Sequence, residues 1–221
     1  MSQLGYMFIA VGLGFYSSGL FHVFTHAFFK AMLFMGAGGV IIALHHEQNI
    51  FNIAKHRAIL PIISATFLIG VIAISGIPPF SGFFSKDAIL AAAFQEGHYL
   101  IYGIALFTAF LTAFYMFRLY FVVFVTPNHH KKEYVYTSKT ITFPLVVLAV
   151  GAVTAGFLNL PSIFGGTHMV DTWLGSLNSK TITLSHSTEY ILMALSVLVA
   201  SFGIFIAYKK YARFDLEKPE L

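Results

Sequence analysis

The chain has 221 residues, 57% of them hydrophobic and only 10% charged, with a mean hydropathy of +0.79 and a formal net charge of +4. A soluble domain carries about 25% charged residues, so this composition excludes a water-soluble fold. Cysteine is absent, which excludes iron–sulfur ligation, c-type haem attachment and disulfides within the chain. The positive balance follows from loop positions and does not point to nucleic acid, and the 25 Phe and 11 Tyr read as lipid-facing and packing residues.

The apolar runs exceed about 18 residues and do not alternate, so they spell helices rather than barrel strands. The expected fold is an all-α integral membrane protein of about six transmembrane helices, one of them broken mid-membrane. In chain order the spans are 4–16, 20–44, 59–94 (broken), 98–125, 141–160 and 189–208. Together they form one transmembrane domain over 1–208, followed by a charged tail over 209–221. No basic n-region with a small-residue cleavage site opens the chain, so no signal peptide is expected.

The second span carries Gly36-Ala37-Gly38-Gly39, a small-residue surface for close helix packing rather than a dinucleotide loop, since no strand precedes it. The third run is 36 residues long, too long for one straight crossing of about 20 residues. Inside it, Ser75-Gly76-Ile77-Pro78-Pro79 removes two backbone donors and adds a hinge. A helix interrupted there is expected to restart around Ser85, with Lys86 and Asp87 in its first turn. Irregular backbone at membrane depth must face protein or a water-filled path, and broken helices bearing ionisable residues are how transporters build mid-membrane ion sites.

Loop charge orients the chain. Alternate connections hold Lys55 and Arg57, then Lys131, Lys132 and Lys139, then Lys209, Lys210, Arg213 and Lys218, which is nine of the 13 Lys and Arg residues. The opposite connections hold only Lys180, within a polar loop over 161–187. The Lys-rich side is therefore expected to be cytoplasmic and the 161–187 loop outer.

Ionisable residues within spans cost roughly 2.5–3.5 kcal/mol each on insertion scales, so each needs a reason. His22, His26 and Lys30 recur every four residues on one face of the second span, spread over about 12 Å of its axis. Lys30 is near the centre of that span and is expected to be buried. A lysine out of water gives up its proton more readily, as a proton carrier must. Ordered water could link the three into a relay. Packing or metal binding by the i, i+4 histidines are the competing readings, the latter short of a third ligand. Lys86 and Asp87 read as a second site; the alternative is a capping aspartate beside a lysine that reaches the headgroups. Arg118 is expected to snorkel, Glu96 and Glu189 to sit at the outer interface, and His45-His46-Glu47 and His129-His130 to be solvated.

Met1-Ser2-Gln3-Leu4-Gly5-Tyr6-Met7, Phe21-His22, Thr25-His26-Ala27-Phe28-Phe29-Lys30-Ala31-Met32-Leu33-Phe34, His45-His46-Glu47-Gln48-Asn49-Ile50 and Gly82-Phe83-Phe84-Ser85-Lys86-Asp87 together closely resemble the L-type (subunit 5) antiporter-like subunits of proton-pumping NADH:quinone oxidoreductase, respiratory complex I. The likeness is dense over 1–125 and weaker afterwards. It implies that Lys30 is the lysine of the family's eleventh helix, with His22 and His26 as hydrated relay partners. It implies further that Lys86 is the lysine of the broken twelfth helix at the outer proton exit, with Asp87 beside it. The family subunit is more than twice as long, so the chain is expected to be a fragment or one piece of a split subunit. On this resemblance no cofactor belongs to the chain; NADH, FMN, iron–sulfur clusters and quinone belong to partner subunits. The partners implied are the other membrane-arm subunits, above all the neighbouring antiporter-like one, in a bacterial inner membrane with the tail cytoplasmic. The rival readings are a subunit of a multi-subunit cation/proton antiporter and a non-transporting assembly scaffold.

Overall fold

The computed structural model describes residues 1–56, 58–125, 133–134, 137–161, 165–166, 169–173 and 179–212. Arg57, His129-His130, Lys131, Lys132, Arg213 and Lys218, the side chain of Lys55 and most of the 209–221 tail lie outside the described residues.

Helix α1 (Ser2–Gly12) is short and leads through Gly14, at φ 86°, into α2 (Tyr16–Ala43), the longest helix. After a turn in which His45 and His46 are left-handed, Glu47 accepts from the Gln48 and Asn49 backbone N–H groups and from Asn52 Nδ2. The chain then forms α3 (Ile50–His56), which hydropathy gave no sign of. Two two-residue strands follow from that side: β1 (Ala58–Ile59) pairs in parallel with β2 (Glu133–Tyr134), Ala58 opposite Glu133.

Helix α4 (Pro61–Ser75) starts on proline, whose missing N–H costs nothing in a first turn, and stops at Gly76 in the left-handed conformation (φ 76°). The Gly76 N–H returns to the last carbonyls of α4. Helix α5 (Ser81–Gln95) then begins directly after Phe80. The expected restart near Ser85 is therefore corrected: Lys86 and Asp87 lie in the second turn, not the first. Once Pro79 has passed, nothing in 80–85 resists helix, so winding resumes at once. Gly82 permits it, because a Cβ there would overlap the Ala73 carbonyl oxygen of α4.

Helix α6 (Tyr99–Tyr120) runs into a π-helical turn over Phe121–Val125, and α7 (Lys139–Thr154) into a 3-10 turn over Ala155–Asn159. A short α8 (Met169–Trp173) precedes the last helix, α9 (His186–Tyr211). The Ser185 hydroxyl caps α9 by accepting from the Thr188 N–H; Glu189 is in its first turn and Lys209 and Lys210 in its last, as the helix dipole favours.

Four helices among the described residues are long and apolar enough to cross a membrane: α2, α6 with its π turn, α7 with its 3-10 turn, and α9. Short α1 and the α4–α5 pair of half-helices complete the six-span, all-α membrane architecture expected, one span broken. One apolar group (Phe29, Met32, Ile63, Phe67, Val71, Leu145) joins α2, α4 and α7. A second (Tyr6, Ala10, Ile89, Leu90, Tyr102, Leu192) joins α1, α5, α6 and α9. Gly36 and Gly39 are the close approach of α2 to α4, since a Cβ would stand 2.9 Å from Phe67 and 2.7 Å from Ile63 respectively. Between these groups α5 is enclosed over nearly its whole length, so its polar side chains can meet only protein or internal space.

Candidate functional site

The break leaves helix α4 with unpaired terminal carbonyls, the negative end of its dipole. The Lys86 side chain, 3% exposed, reaches back from α5 and its Nζ donates to the Ile74 carbonyl oxygen at 2.8 Å. A Cβ on Gly76 would lie 3.5 Å from Lys86 Cδ, an ordinary contact, so this glycine serves the left-handed turn rather than clearing space for the lysine. The other side of the ammonium faces the Tyr6 ring, 5.2 Å from its centroid. Tyr6 cannot swing away, because its hydroxyl donates to the Ala105 carbonyl of α6 at 2.5 Å. The lysine is thus held by a helix terminus and an aromatic face, both of which favour a cation.

Asp87 is 9% exposed and follows Lys86 in sequence, but a helix turns about 100° per residue, so the two project to different neighbours. Asp87 Oδ1 accepts from the Ser196 hydroxyl of α9 at 2.7 Å. Its Oδ2 is buried without a hydrogen-bond partner among the described residues. Asp87 lines a cavity of about 390 Å³ together with Asn159, Glu189 and Lys180, room for several water molecules. Asn159 Oδ1 is likewise a buried acceptor with no described donor.

On the opposite flank His22, fully buried, bonds through both ring nitrogens: Nε2 to Gln3 Oε1 of α1 at 3.0 Å and Nδ1 to Ser85 Oγ of α5 at 2.9 Å. With the Gln3 carbonyl oxygen facing the ring, Nε2 carries hydrogen and a neutral ring accepts from Ser85 at Nδ1. The Ser85 hydroxyl also accepts from Thr25 Oγ1 at 2.8 Å and has a second acceptor of its own, the Ser81 carbonyl, at 3.3 Å. One hydroxyl hydrogen therefore has two destinations. When His22 is doubly protonated, Nδ1–H donates to Ser85, and Ser85 turns its hydrogen to Ser81. The node satisfies both protonation states without moving a backbone atom.

The other relay candidates follow from helix geometry. A four-residue step advances about 40° beyond a full turn, so from His22 to Lys30 the stripe rotates roughly 80°. His22 is inside; His26 and Lys30 are half-buried on the flank beside the exposed Val23, Ala27, Ala31 and Phe34. The His26 ring lies 6.2 Å from that of His22 and edge-on to Phe29 at 5.4 Å. Lys30 Nζ sits 4.8 Å from the Phe34 ring centroid. The expectation of a fully buried Lys30 is corrected: the drift of the stripe leaves it half-buried at the edge of the packed face of α2. Among the described residues no group of three or more His, Asp and Glu side chains forms a metal site. The Arg118 guanidinium stacks over Tyr211, 5.3 Å from its centroid, and Glu96 pairs with Lys180.

The structure thus gathers His22, Ser85, Lys86 and Asp87 around one half-helix, and leaves His26 and Lys30 at its edge. Sequence reading gave no site role to Gln3, Thr25 or Ser85, although they fall in the quoted motifs, and did not single out Ser196 or Asn159. Gln3 is a polar residue in an otherwise apolar α1 and Ser85 adjoins Lys86, so these two carried a signal; Ser196 and Asn159 did not.

A transmembrane family described as NADH:quinone oxidoreductase/Mrp antiporter matches residues 1–112. The chain is 38% identical to NAD(P)H-quinone oxidoreductase chain 5 of Picosynechococcus sp., covering 100% of this chain and 38% of the relative. It is 39% identical to NADH-quinone oxidoreductase subunit L of Escherichia coli (94% of this chain, 32% of the relative). It is 41% identical to subunit L of Mycobacterium tuberculosis (96% and 34%). The chain spans about a third of the length of these curated relatives. The resemblance read from the residues and these likenesses agree.

Proposed function

The chain belongs to the NADH:quinone oxidoreductase/Mrp antiporter transmembrane family, and from that premise we propose that it is a proton-translocating membrane portion of an NADH:quinone oxidoreductase, with Lys86 as the central proton carrier. The observation that carries this reading is an enclosed ammonium held on a helix-break carbonyl, on a half-helix that also meets a buried histidine bonded through both ring nitrogens and an aspartate lining a cavity. In this reading protons arrive along Lys30, His26 and His22, bridged by water. They pass by way of Ser85 to Lys86, and leave through Asp87 toward the outer face. The Ile74 carbonyl and Tyr6 ring favour the charged lysine, and a carboxylate on the cavity side receives what the lysine releases. No redox step belongs to this chain. Electron transfer through NADH, FMN, iron–sulfur clusters and quinone falls to partner subunits, and the neighbouring antiporter-like subunit is the closest partner. The domain over 1–208 is the transmembrane body in a bacterial inner membrane, with the 209–221 tail cytoplasmic.

The test is NADH-driven acidification of inverted membrane vesicles carrying Lys86→Ala, with NADH oxidation and complex assembly followed alongside. Pumping should fall while the complex stays assembled. Pumping and oxidation both at the parent level would remove Lys86 from the path and leave a scaffold; NADH-independent sodium–proton exchange would make the chain part of a cation/proton antiporter.

A further inference from the structure

The Asp87 cavity has a built cover on the side assigned as outer by loop charge. Residues 179–185 cross from the α1–α2 turn to the start of α9 without regular secondary structure. They are tied at one end by Ser179 Oγ, which accepts from the Ser17 N–H at 3.1 Å, and by the Lys180 N–H, which donates to the Gly14 carbonyl at 3.0 Å. Further along, the single side chain of Gln95 clasps the segment twice: Nε2 donates to the Thr181 carbonyl at 3.2 Å and Oε1 accepts from the Thr183 N–H at 2.7 Å. The next residue, Glu96, holds Lys180 Nζ at 2.6 Å. Lys180, Thr181 and Ile182 all line the cavity, on which Asp87 Oδ2 and Asn159 Oδ1 present their unpartnered acceptors. Gln95 ends the same half-helix that bears Lys86 and Asp87 and Glu96 is its C-cap, about 12–15 Å along its axis. Lys180 is also the single Lys or Arg of the outer connections, and it pairs with Glu96.

We propose that Gln95, Glu96 and Lys180 form a clasp over the Asp87 cavity that sets how fast the cavity exchanges with the outer aqueous phase, which makes them positioning residues that govern outward proton release. This rests on the reading of the cavity as the exit. When the clasp is fastened, 179–185 stands between Asp87 and bulk water. When the Glu96–Lys180 pair parts and Gln95 lets go, the segment lifts and a proton on the carboxylate reaches solvent.

The chain has no cysteine, so Ala88→Cys places one reporter thiol on the cavity wall beside Asp87. In right-side-out vesicles containing the whole complex, its rate of modification by a membrane-impermeant thiosulfonate reads access from the outside. In that background Glu96→Gln or Lys180→Gln should raise the rate about threefold, the effect that loss of a partly exposed ion pair supports. Gln95→Ala should raise it about tenfold, since two hydrogen bonds to the segment go at once. Glu96→Lys combined with Lys180→Glu keeps the net charge and should return the parent rate. NADH-driven acidification, measured on the same clasp variants without the reporter, should change in the same order while NADH oxidation per complex does not. Unchanged labelling in the single variants overturns the clasp. Faster labelling with acidification at the parent level in every variant overturns its role in release. Lys86→Ala, assayed in parallel, decides the underlying proton path separately, because the labelling result does not depend on pumping.

Discussion

The Lys86 ammonium and the Ile74 carbonyl oxygen, 2.8 Å apart and 12 residues apart in sequence, close the gap between two half-helices. One bond serves two ends: it satisfies a terminal carbonyl of α4, and it gives a buried cation a partner that carries no formal charge. A peptide carbonyl holds the charged form without fixing it.

Lys86→Met keeps the length of the side chain and removes the ammonium. The Ile74 carbonyl then stays buried without its donor, a loss of about 1–3 kcal/mol. The thermal unfolding midpoint of the complex-bound or detergent-solubilised protein should fall accordingly, together with pumping. An unaltered midpoint would mean that another donor covers Ile74.

Ser196→Ala takes the one described donor from Asp87 and leaves both carboxylate oxygens facing the cavity. Pumping should fall by about tenfold or more, the scale of a hydrogen bond to a charged group worth about 1.5–3 kcal/mol. Ser196→Thr, which retains the hydroxyl, should restore most of it. If alanine and threonine behave alike, the bond has no part in holding Asp87.

Gln3, His22 and Ser85 act as one unit if the node is a proton switch. Gln3→Leu and Ser85→Ala, singly and together, should show a coupling of about 0.5–3 kcal/mol in stability, because both bond the same ring. Strict additivity of the two variants would show that each touches His22 independently, and the two-state node would be lost with it.

Gly82→Ala places a methyl group onto the Ala73 carbonyl and forces the half-helices apart. The expected cost is about 1–3 kcal/mol of overpacking, with Lys86 drawn off Ile74 and pumping reduced. A variant with wild-type midpoint and pumping would show that the two halves have slack between them.

Hydropathy made the six spans legible because crossing length and apolar content are properties of a run, and Gly76-Ile77-Pro78-Pro79 made the break legible because proline and glycine act locally. The point of restart was not, since it depends on how closely Gly82 can approach Ala73, a contact between helices. Burial of Lys30 misled for a related reason. A position at the centre of a span fixes depth in the membrane, whereas burial depends on which flank the neighbours cover, and the His22–Lys30 stripe rotates from one flank to another. The partners of Asp87 and His22 come from residues 109 and 19 positions away, in Ser196 and Gln3, so no local pattern announces them. The 179–185 segment is held by scattered backbone and side-chain bonds to Gly14, Ser17, Gln95 and Glu96 and leaves no periodic trace at all.

Tyr6 has a consequence of its own. Its ring lies 6.1 Å from the ring of His22 on one side and 5.2 Å from the ammonium of Lys86 on the other, with its only exchangeable hydrogen committed to Ala105. The ring is within contact range of both ionisable side chains and has no hydrogen bond to either. A proton cannot short-circuit through it, yet in so poorly screened a setting a charge appearing on the imidazole is felt by the lysine across the gap. Such a ring lets two sites feel each other's charge while offering them no hydrogen-bonded route of its own.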